Sequence, residues 1–272
     1  MIGIFDSGVG GLTFVKALWK ILPQYRVVYF GDTARVPYGN KSPETIERYA
    51  EEAVDFLQSK GAKLIVAACH TVSAVATNDL QKKLPMPFFD VLHSIAGSVL
   101  ETSKTGKIGI IGTASTIRSK RHKEVLQKHF EGQKAKYPYS RLEVFEVACP
   151  LFVPLIEEGF MKRPETLRII RYYLRDLKKQ YIDTLVLACT HYPLLRKQIQ
   201  DVMGKRVKLV DPSEVTAGIV KDYLDRHPEV QSRLPKDSQH QFYVSDDPEK
   251  FSRLTKSWLG LNVRAQQISI EK

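Results

Sequence analysis

The chain has 272 residues, 43% of them hydrophobic and 26% charged, a balance typical of a globular protein with a substantial core. Nowhere do about 18 apolar residues follow one another, and the opening MIGIFDSGVGG lacks the features of a secretory signal, so we expect a cytoplasmic protein without a membrane span. The net charge of +11 is compatible with the binding of an anionic ligand or of nucleic acid. Apart from the short block RSKRHK at 118–123, however, the basic residues are scattered among acids, which argues against nucleic acid.

Apolar runs rich in β-branched residues alternate along the chain with amphipathic stretches of helical length. This alternation predicts the α/β class, with mainly parallel sheets flanked by helices. A helix over 43–60 is the clearest, because proline opens it, apolar residues recur at helical spacing and glycine follows it. The predicted strands cover 2–5, 26–30, 63–68, 107–111, 142–147, 183–188 and 207–210.

Two pairs of segments resemble each other in the same order along the chain. IGIFDS at 2–7 is echoed by IGIIGT at 108–113, and KLIVAACHT at 63–71 by DTLVLACTH at 183–191. Buried parallel strands can look alike without common origin. A duplicated architecture is the other interpretation, and the cysteines in the second pair favour it.

The chain has three cysteines and no C-x-x-C pair, so we expect free thiols. Cys69 and Cys189 each follow an apolar strand, at the sheet edge where α/β proteins bind ligands. A cysteine there can also be a small buried side chain, which is our interpretation of Cys149. Near a helix start, though, backbone N–H groups lower a thiol pKa and bind carboxylates. Two such thiols facing one carbon could remove a proton from one side and return it from the other.

Five motifs in sequence order resemble glutamate racemases of the aspartate/glutamate racemase superfamily: FDSGVGGLT (5–13), YFGDTARVPYG (29–39), ACHT (68–71), VPLIEEG (153–159) and ACTHYPLL (188–195). The resemblance implies two similar α/β domains facing each other across an active-site cleft. The first would comprise 1–92 plus 208–272 and carry Cys69, and the second would comprise 93–207 and carry Cys189.

The same resemblance implies racemisation of L-glutamate to D-glutamate without pyridoxal phosphate, metal or other cofactor. The product would serve peptidoglycan synthesis, and hence cell wall biogenesis and cell shape. A homodimer is also implied. Two alternatives stay open: a racemase for aspartate or another amino acid, and a non-catalytic binding protein on the same fold that uses its basic surface for nucleic acid or a protein.

By resemblance, the catalytic groups are the thiols of Cys69 and Cys189, with Asp6 near the first and Glu157 and His191 near the second. From the residues alone, Asp6 could merely cap a helix, Glu157 could be a solvated acid and His191 could be a helix cap. The substrate-binding residues implied by the family are Asp6, Ser7, Tyr38, Gly39, His70, Thr71, Thr190 and His191.

His70 departs from the family pattern, which has asparagine after the first cysteine. Our hypothesis is that a neutral His70 accepts a hydrogen bond from the substrate ammonium, so that activity persists with an altered pH profile. The alternative is that the bulkier imidazole narrows the pocket or shifts its charge and moves preference away from glutamate.

Overall fold

The computed structural model describes residues 1–270, which contain two sheets of parallel strands. The strands are β1 (Ile2–Asp6), β2 (Val27–Gly31), β3 (Leu64–Ala67), β4 (Phe88–Asp90), β5 (Lys107–Gly112), β6 (Glu143–Ala148), β7 (Thr184–Ala188), β8 (Lys208–Val210), β9 (Gln241–Val244) and β10 (Gln266–Gln267). The helices are α1 (Leu12–Ile21), α2 (Pro43–Ser59), α3 (His70–Val75), α4 (Thr77–Lys83), α5 (Ala96–Thr102), α6 (Ala114–Arg118), α7 (Arg121–Gly132), α8 (Phe152–Glu157), α9 (Pro164–Lys179), α10 (Arg196–Met203), α11 (Pro212–Arg226), α12 (Pro228–Gln231) and α13 (Pro248–Leu259).

The predicted α/β class is confirmed, and all seven predicted strands are present with their ends moved by at most one residue. The predicted helix over 43–60 is α2, whose first turn is capped by the Ser42 side chain accepting from the N–H of Thr45. Three strands escaped prediction. Each has only two to four residues, too few for a period-2 pattern to stand out: β4, β9 and β10.

The strand order supports the duplicated architecture. The first sheet runs β10-β9-β2-β1-β3-β4 and the second β6-β5-β7-β8, so β2-β1-β3-β4 repeats the order of β6-β5-β7-β8. The register is also equivalent, since Phe5 pairs with Ala67 in the first sheet and the corresponding Ile111 pairs with Leu187 in the second. The two cysteine motifs therefore begin at the ends of corresponding strands in the two sheets.

Helices cover both faces of each sheet and bury apolar side chains against it. Helices α1, α11 and α13 pack on one face of the first sheet, and α2 to α4 on the other. In the second sheet, α5 and α7 cover one face while α8, α9 and α10 cover the other. No helix within 1–270 has both the length and the apolar content needed to cross a bilayer.

The chain enters the second sheet after β4 and returns to the first through α11, which packs against α1. The predicted domain bounds stay a prediction, but one detail bears on them. Because β8 pairs with β7, the second sheet extends through Val210, beyond the predicted return at 208. The strands therefore favour a return just after Val210.

Candidate active site

A cavity of about 420 Å³ lies between the two sheets and is lined by residues that follow strands of both. A larger, more open groove of about 1010 Å³, beside Trp19 and Lys256, contains none of the predicted site residues. Cys149 is not among the lining residues of the smaller cavity and is fully buried in the core beside it, as expected for a structural cysteine. The predicted residues that line the cavity are Ser7, Tyr38, Gly39, Cys69, His70, Thr71, Glu157, Cys189, Thr190 and His191.

The first thiol sits where β3 passes into α3. Cys69 precedes the first helical residue, and its Sγ donates to Ser7 Oγ at 3.5 Å. Burial and the nearby Asp6 carboxyl raise the pKa of Cys69 to about 12, and hydrogen bonds from Ser7 and the backbone offset this only in part. At Cys69, burial therefore outweighs the effect of the nearby helix start on the thiol pKa. Cys69 is suited to be the protonated member of the pair, the proton donor.

Asp6 is the one predicted site residue outside the cavity lining. It is buried directly behind the loop after β1, where its Oδ2 accepts from the Gly8 N–H at 2.9 Å. Burial raises the pKa of Asp6, partly offset by the positive charge of His191. Asp6 therefore acts on Cys69 and His191 through its electrostatic field. It does not cap a helix, because α1 begins without a side-chain hydrogen bond at its N-terminus.

The second thiol has a cation for a neighbour. Burial lowers the pKa of His191, but the interactions with Cys189 and Glu157 outweigh it and raise that pKa to about 10. His191 Nε2 lies 3.2 Å from Glu157 Oε1, and this hydrogen bond holds the pKa of Glu157 below its usual value. An imidazolium beside Cys189 stabilises the negative charge that sulfur carries once the thiol has given up its proton.

The loop after β1 approaches the second cysteine motif closely at Gly10. A Cβ there would lie 2.2 Å from Thr190 Oγ1 and 2.6 Å from His191 Nδ1, so only glycine fits. The Thr13 hydroxyl lies 2.9 Å from the Gly10 carbonyl and 3.2 Å from the Thr190 carbonyl, in position to donate to either. The glycine-rich turn thus joins the end of the first sheet to that of the second.

A buried network that the sequence did not reveal anchors the loop carrying Tyr38 and Gly39. The Tyr38 hydroxyl donates to Asp32, and Arg35 donates to Asp32 Oδ2 at 2.6 Å and also to Glu52. Desolvation, together with Asp32, raises the pKa of Tyr38 well above its usual value, so the hydroxyl stays protonated. Three of these four residues, Asp32, Arg35 and Tyr38, lie within the motif YFGDTARVPYG, which was the available signal.

Two further threonines, also missed, put hydroxyl groups into the cavity from the second sheet. Thr71 Oγ1 lies 3.5 Å from Thr113 Oγ1 and 3.4 Å from Thr116 Oγ1, and the latter two are 2.9 Å apart. Both Thr113 and Thr116 line the cavity. The echo of IGIFDS by IGIIGT was the signal for the first, since it aligns Thr113 with Ser7.

His70 makes a contact that no sequence pattern indicated. Its Nδ1 lies 3.1 Å from Nε2 of His122 on α7, with the two rings stacked. Burial and the neighbouring ring keep the pKa of His70 well below its usual value, and burial lowers that of His122 to about 3. Both imidazoles are therefore neutral at physiological pH. His122 belongs to the basic block at 118–123, which suggested only surface charge.

Known proteins resemble this chain over nearly its full length. The sequence model of the Asp/Glu/Hydantoin racemase family matches residues 12–220. A glutamate racemase of Geobacter metallireducens is 44% identical over 99% of this chain and 97% of its own. The crystal structure of glutamate racemase isoform RacE1 from Bacillus anthracis superposes with a TM-score of 0.90 at 32% identity, covering 99% of this chain and 97% of that one. The glutamate racemase of Francisella tularensis in complex with D-glutamate gives a TM-score of 0.87 at 34% identity, with the same coverage.

Proposed function

This chain belongs to the Asp/Glu/Hydantoin racemase family, and we propose that it interconverts L-glutamate and D-glutamate by proton exchange at Cα between Cys69 and Cys189. One observation carries the proposal: the two cysteines follow equivalent strands of two similarly ordered sheets, and both line one cavity. Inversion at a carbon requires proton removal and delivery from opposite faces. A cavity between duplicated halves supplies both faces.

In the direction in which Cys189 is the base, the positive charge of His191 stabilises the Cys189 thiolate before the reaction. The thiolate then takes the Cα proton. The carbon is left with an electron pair, which the Cys69 thiol neutralises by giving its proton from the other side. One proton leaves the carbon and another replaces it, so nothing is consumed. Proton exchange with solvent then returns Cys189 to the thiolate and Cys69 to the thiol before the next turnover. The reverse direction exchanges the two roles.

The cavity also provides groups that orient a dicarboxylic amino acid. Hydroxyls of Ser7, Thr71, Thr113 and Thr190 line it, and each can donate to a carboxylate oxygen. Holding the substrate with its Cα between the sulfurs converts proton exchange into an effectively unimolecular step. Exclusion of water by the walls strengthens each of these hydrogen bonds.

We further propose that the D-glutamate serves peptidoglycan synthesis in the cytoplasm and that the protein acts as a homodimer. The three cysteines are free and buried, as is usual for proteins of a reducing compartment. Analytical ultracentrifugation of the purified chain tests the dimer. A sedimentation coefficient of a 31.0 kDa monomer at micromolar concentration would contradict it.

The direct test is to incubate the purified chain with L-glutamate alone and to follow D-glutamate by chiral chromatography. We expect conversion until the enantiomers are equal, from either starting enantiomer and without added cofactor. Parallel incubations with L- and D-aspartate separate the alternatives. Conversion of aspartate but not glutamate would identify a different substrate, and no conversion of either would contradict the proposed function.

A further inference from the structure

The pair formed by His70 and His122 bridges the two halves of the molecule at the edge of the cavity. His70 is the first residue of α3, beside the catalytic Cys69, and His122 lies in the first turn of α7 over the second sheet. Both side chains are almost fully buried, at 4% and 3% exposure. Since His70 lines the cavity and its Nδ1 is taken by His122, Nε2 is the ring nitrogen left for a bound ligand.

Two neutral imidazoles can share this hydrogen bond in only two ways. In the first, His122 Nε2–H donates to His70 Nδ1, and the His70 proton sits on Nε2, facing the ligand as a donor. In the second, His70 Nδ1–H donates to His122, and His70 Nε2 faces the ligand as an acceptor. The arrangement that is present therefore determines whether His70 recognises a hydrogen-bond acceptor or a hydrogen-bond donor on the ligand.

The surroundings of His122 favour the first arrangement. Within residues 1–270, no group lies at hydrogen-bonding distance from its buried Nδ1. The second arrangement would put a proton on that nitrogen and leave a buried N–H without an acceptor, which is the rarer defect in proteins. Asp90 acts on His122 electrostatically, but its Oδ1 already accepts from the N–H groups of Leu92 and His93 at 2.8 and 2.7 Å.

We propose that His122 is a positioning residue that fixes His70 in the Nε2–H form, so that His70 donates a hydrogen bond to a carboxylate of the bound amino acid. This inference rests on the proposed racemase function for the identity of the ligand. It replaces acceptance from the substrate ammonium, the role suggested by the sequence. The specificity consequence is that His70 and His122 together select an anionic group at this position of the cavity.

The tautomer can be measured without turnover. In substrate-free protein labelled with ¹⁵N-histidine, long-range ¹H–¹⁵N spectra assigned with His70→Asn and His122→Phe should show a protonated Nε2 and a bare Nδ1 on His70. The opposite pattern, with the proton on Nδ1, would overturn the proposal. Because this measurement needs no catalysis, its result stands even if the chain does not racemise glutamate.

Kinetics of three variants test the consequence for substrate. His122→Phe keeps a ring but loses the donor, and we expect KM for glutamate to rise about tenfold with a smaller change in kcat. His122→Gln keeps an N–H donor and should restore most of the loss. His129→Phe, the same change elsewhere on α7, is the matched control and should leave KM unchanged.

A double variant separates positioning from simple damage to the fold. If His122 acts through His70, then His122→Phe should have no further effect on KM once His70 is replaced by asparagine. Equal losses in both backgrounds, or an unchanged KM in His122→Phe, would overturn the proposal. Thermal unfolding of each variant confirms that the comparison is made on folded protein.

Discussion

At the scale of single residues, the two thiols differ in the charge that surrounds them. Cys69 lies near a buried carboxyl, which together with burial keeps its proton on, whereas Cys189 lies beside an imidazolium held by Glu157. The two sulfurs therefore lie in different electrostatic surroundings. The cysteine motifs alone did not indicate this difference, although the family resemblance placed Asp6 near the first thiol and Glu157 and His191 near the second.

Replacement of either cavity thiol by a hydroxyl should abolish most of the activity. Cys69→Ser and Cys189→Ser are expected to lower kcat for glutamate by about 10²- to 10⁴-fold, since a serine hydroxyl is a far weaker acid and base. Cys149→Ala is the control, with full activity and a stability loss of about 1 kcal/mol. Retention of activity in either serine variant would contradict the two-thiol account.

The pair of Glu157 and His191 should make stability depend on pH. The pKa of His191 is raised from 6.5 to about 10, so its contribution is fully present below about pH 6.5 and is lost as pH rises through 10. Glu157→Gln should cost about 1–2 kcal/mol at pH 6, less than a fully buried pair because the Glu157 side chain is 31% exposed. Urea unfolding should show this difference from the wild type shrinking toward pH 10. A difference that is constant with pH would refute it.

At the scale of elements, the chemistry depends on how closely the loops after β1 and β7 approach each other. Gly10→Ala would drive a Cβ into Thr190 and His191, so we expect kcat/KM to fall at least tenfold and the free energy of unfolding by about 1–3 kcal/mol. Gly218→Ala in α11 meets no atom within 4 Å and should be active and more stable by about 0.5–1 kcal/mol. Enzyme assays and urea unfolding on both proteins check this. Full activity in Gly10→Ala would show that the close approach is dispensable.

The distribution of apolar residues along the sequence was enough to predict the elements that are surrounded by apolar side chains. The strands that carry the cysteines are buried on both faces and stood out as continuous apolar runs. The short strands β4, β9 and β10 did not, because strands of two to four residues show no clear alternation of apolar and polar side chains. The contact of His122 with His70 spans 52 positions and joins two helices that cover different sheets, so no local pattern could predict it.

At the scale of the whole molecule, the cavity exists only because the two sheets face each other. Hydroxyl contacts of Thr71 with Thr113 and of Thr13 with Thr190 join the two sides. A ligand that bridges them should therefore stabilise the entire fold. The resemblance to known racemases predicted this arrangement, whereas composition and periodicity alone predicted only an α/β protein.

Ligand binding should be visible in thermal unfolding. At about 100 times its Kd, D-glutamate is expected to contribute about 2.7 kcal/mol and to raise the midpoint by several degrees. D-aspartate, which is one methylene shorter, should give a smaller shift at the same concentration. Equal shifts, or none, would contradict a cavity fitted to glutamate.

The central claim, that two separate groups exchange the proton, is tested most directly by isotope incorporation in heavy water. Starting from L-glutamate, we expect the first D-glutamate formed to carry deuterium at Cα while the unreacted L-glutamate remains protiated, because the donor thiol has exchanged with solvent and the accepting thiolate has not yet returned its proton. Mass spectrometry of the separated enantiomers at early times gives both values. Early D-glutamate that retains the original proton would show that one group serves both faces, and the account would be wrong.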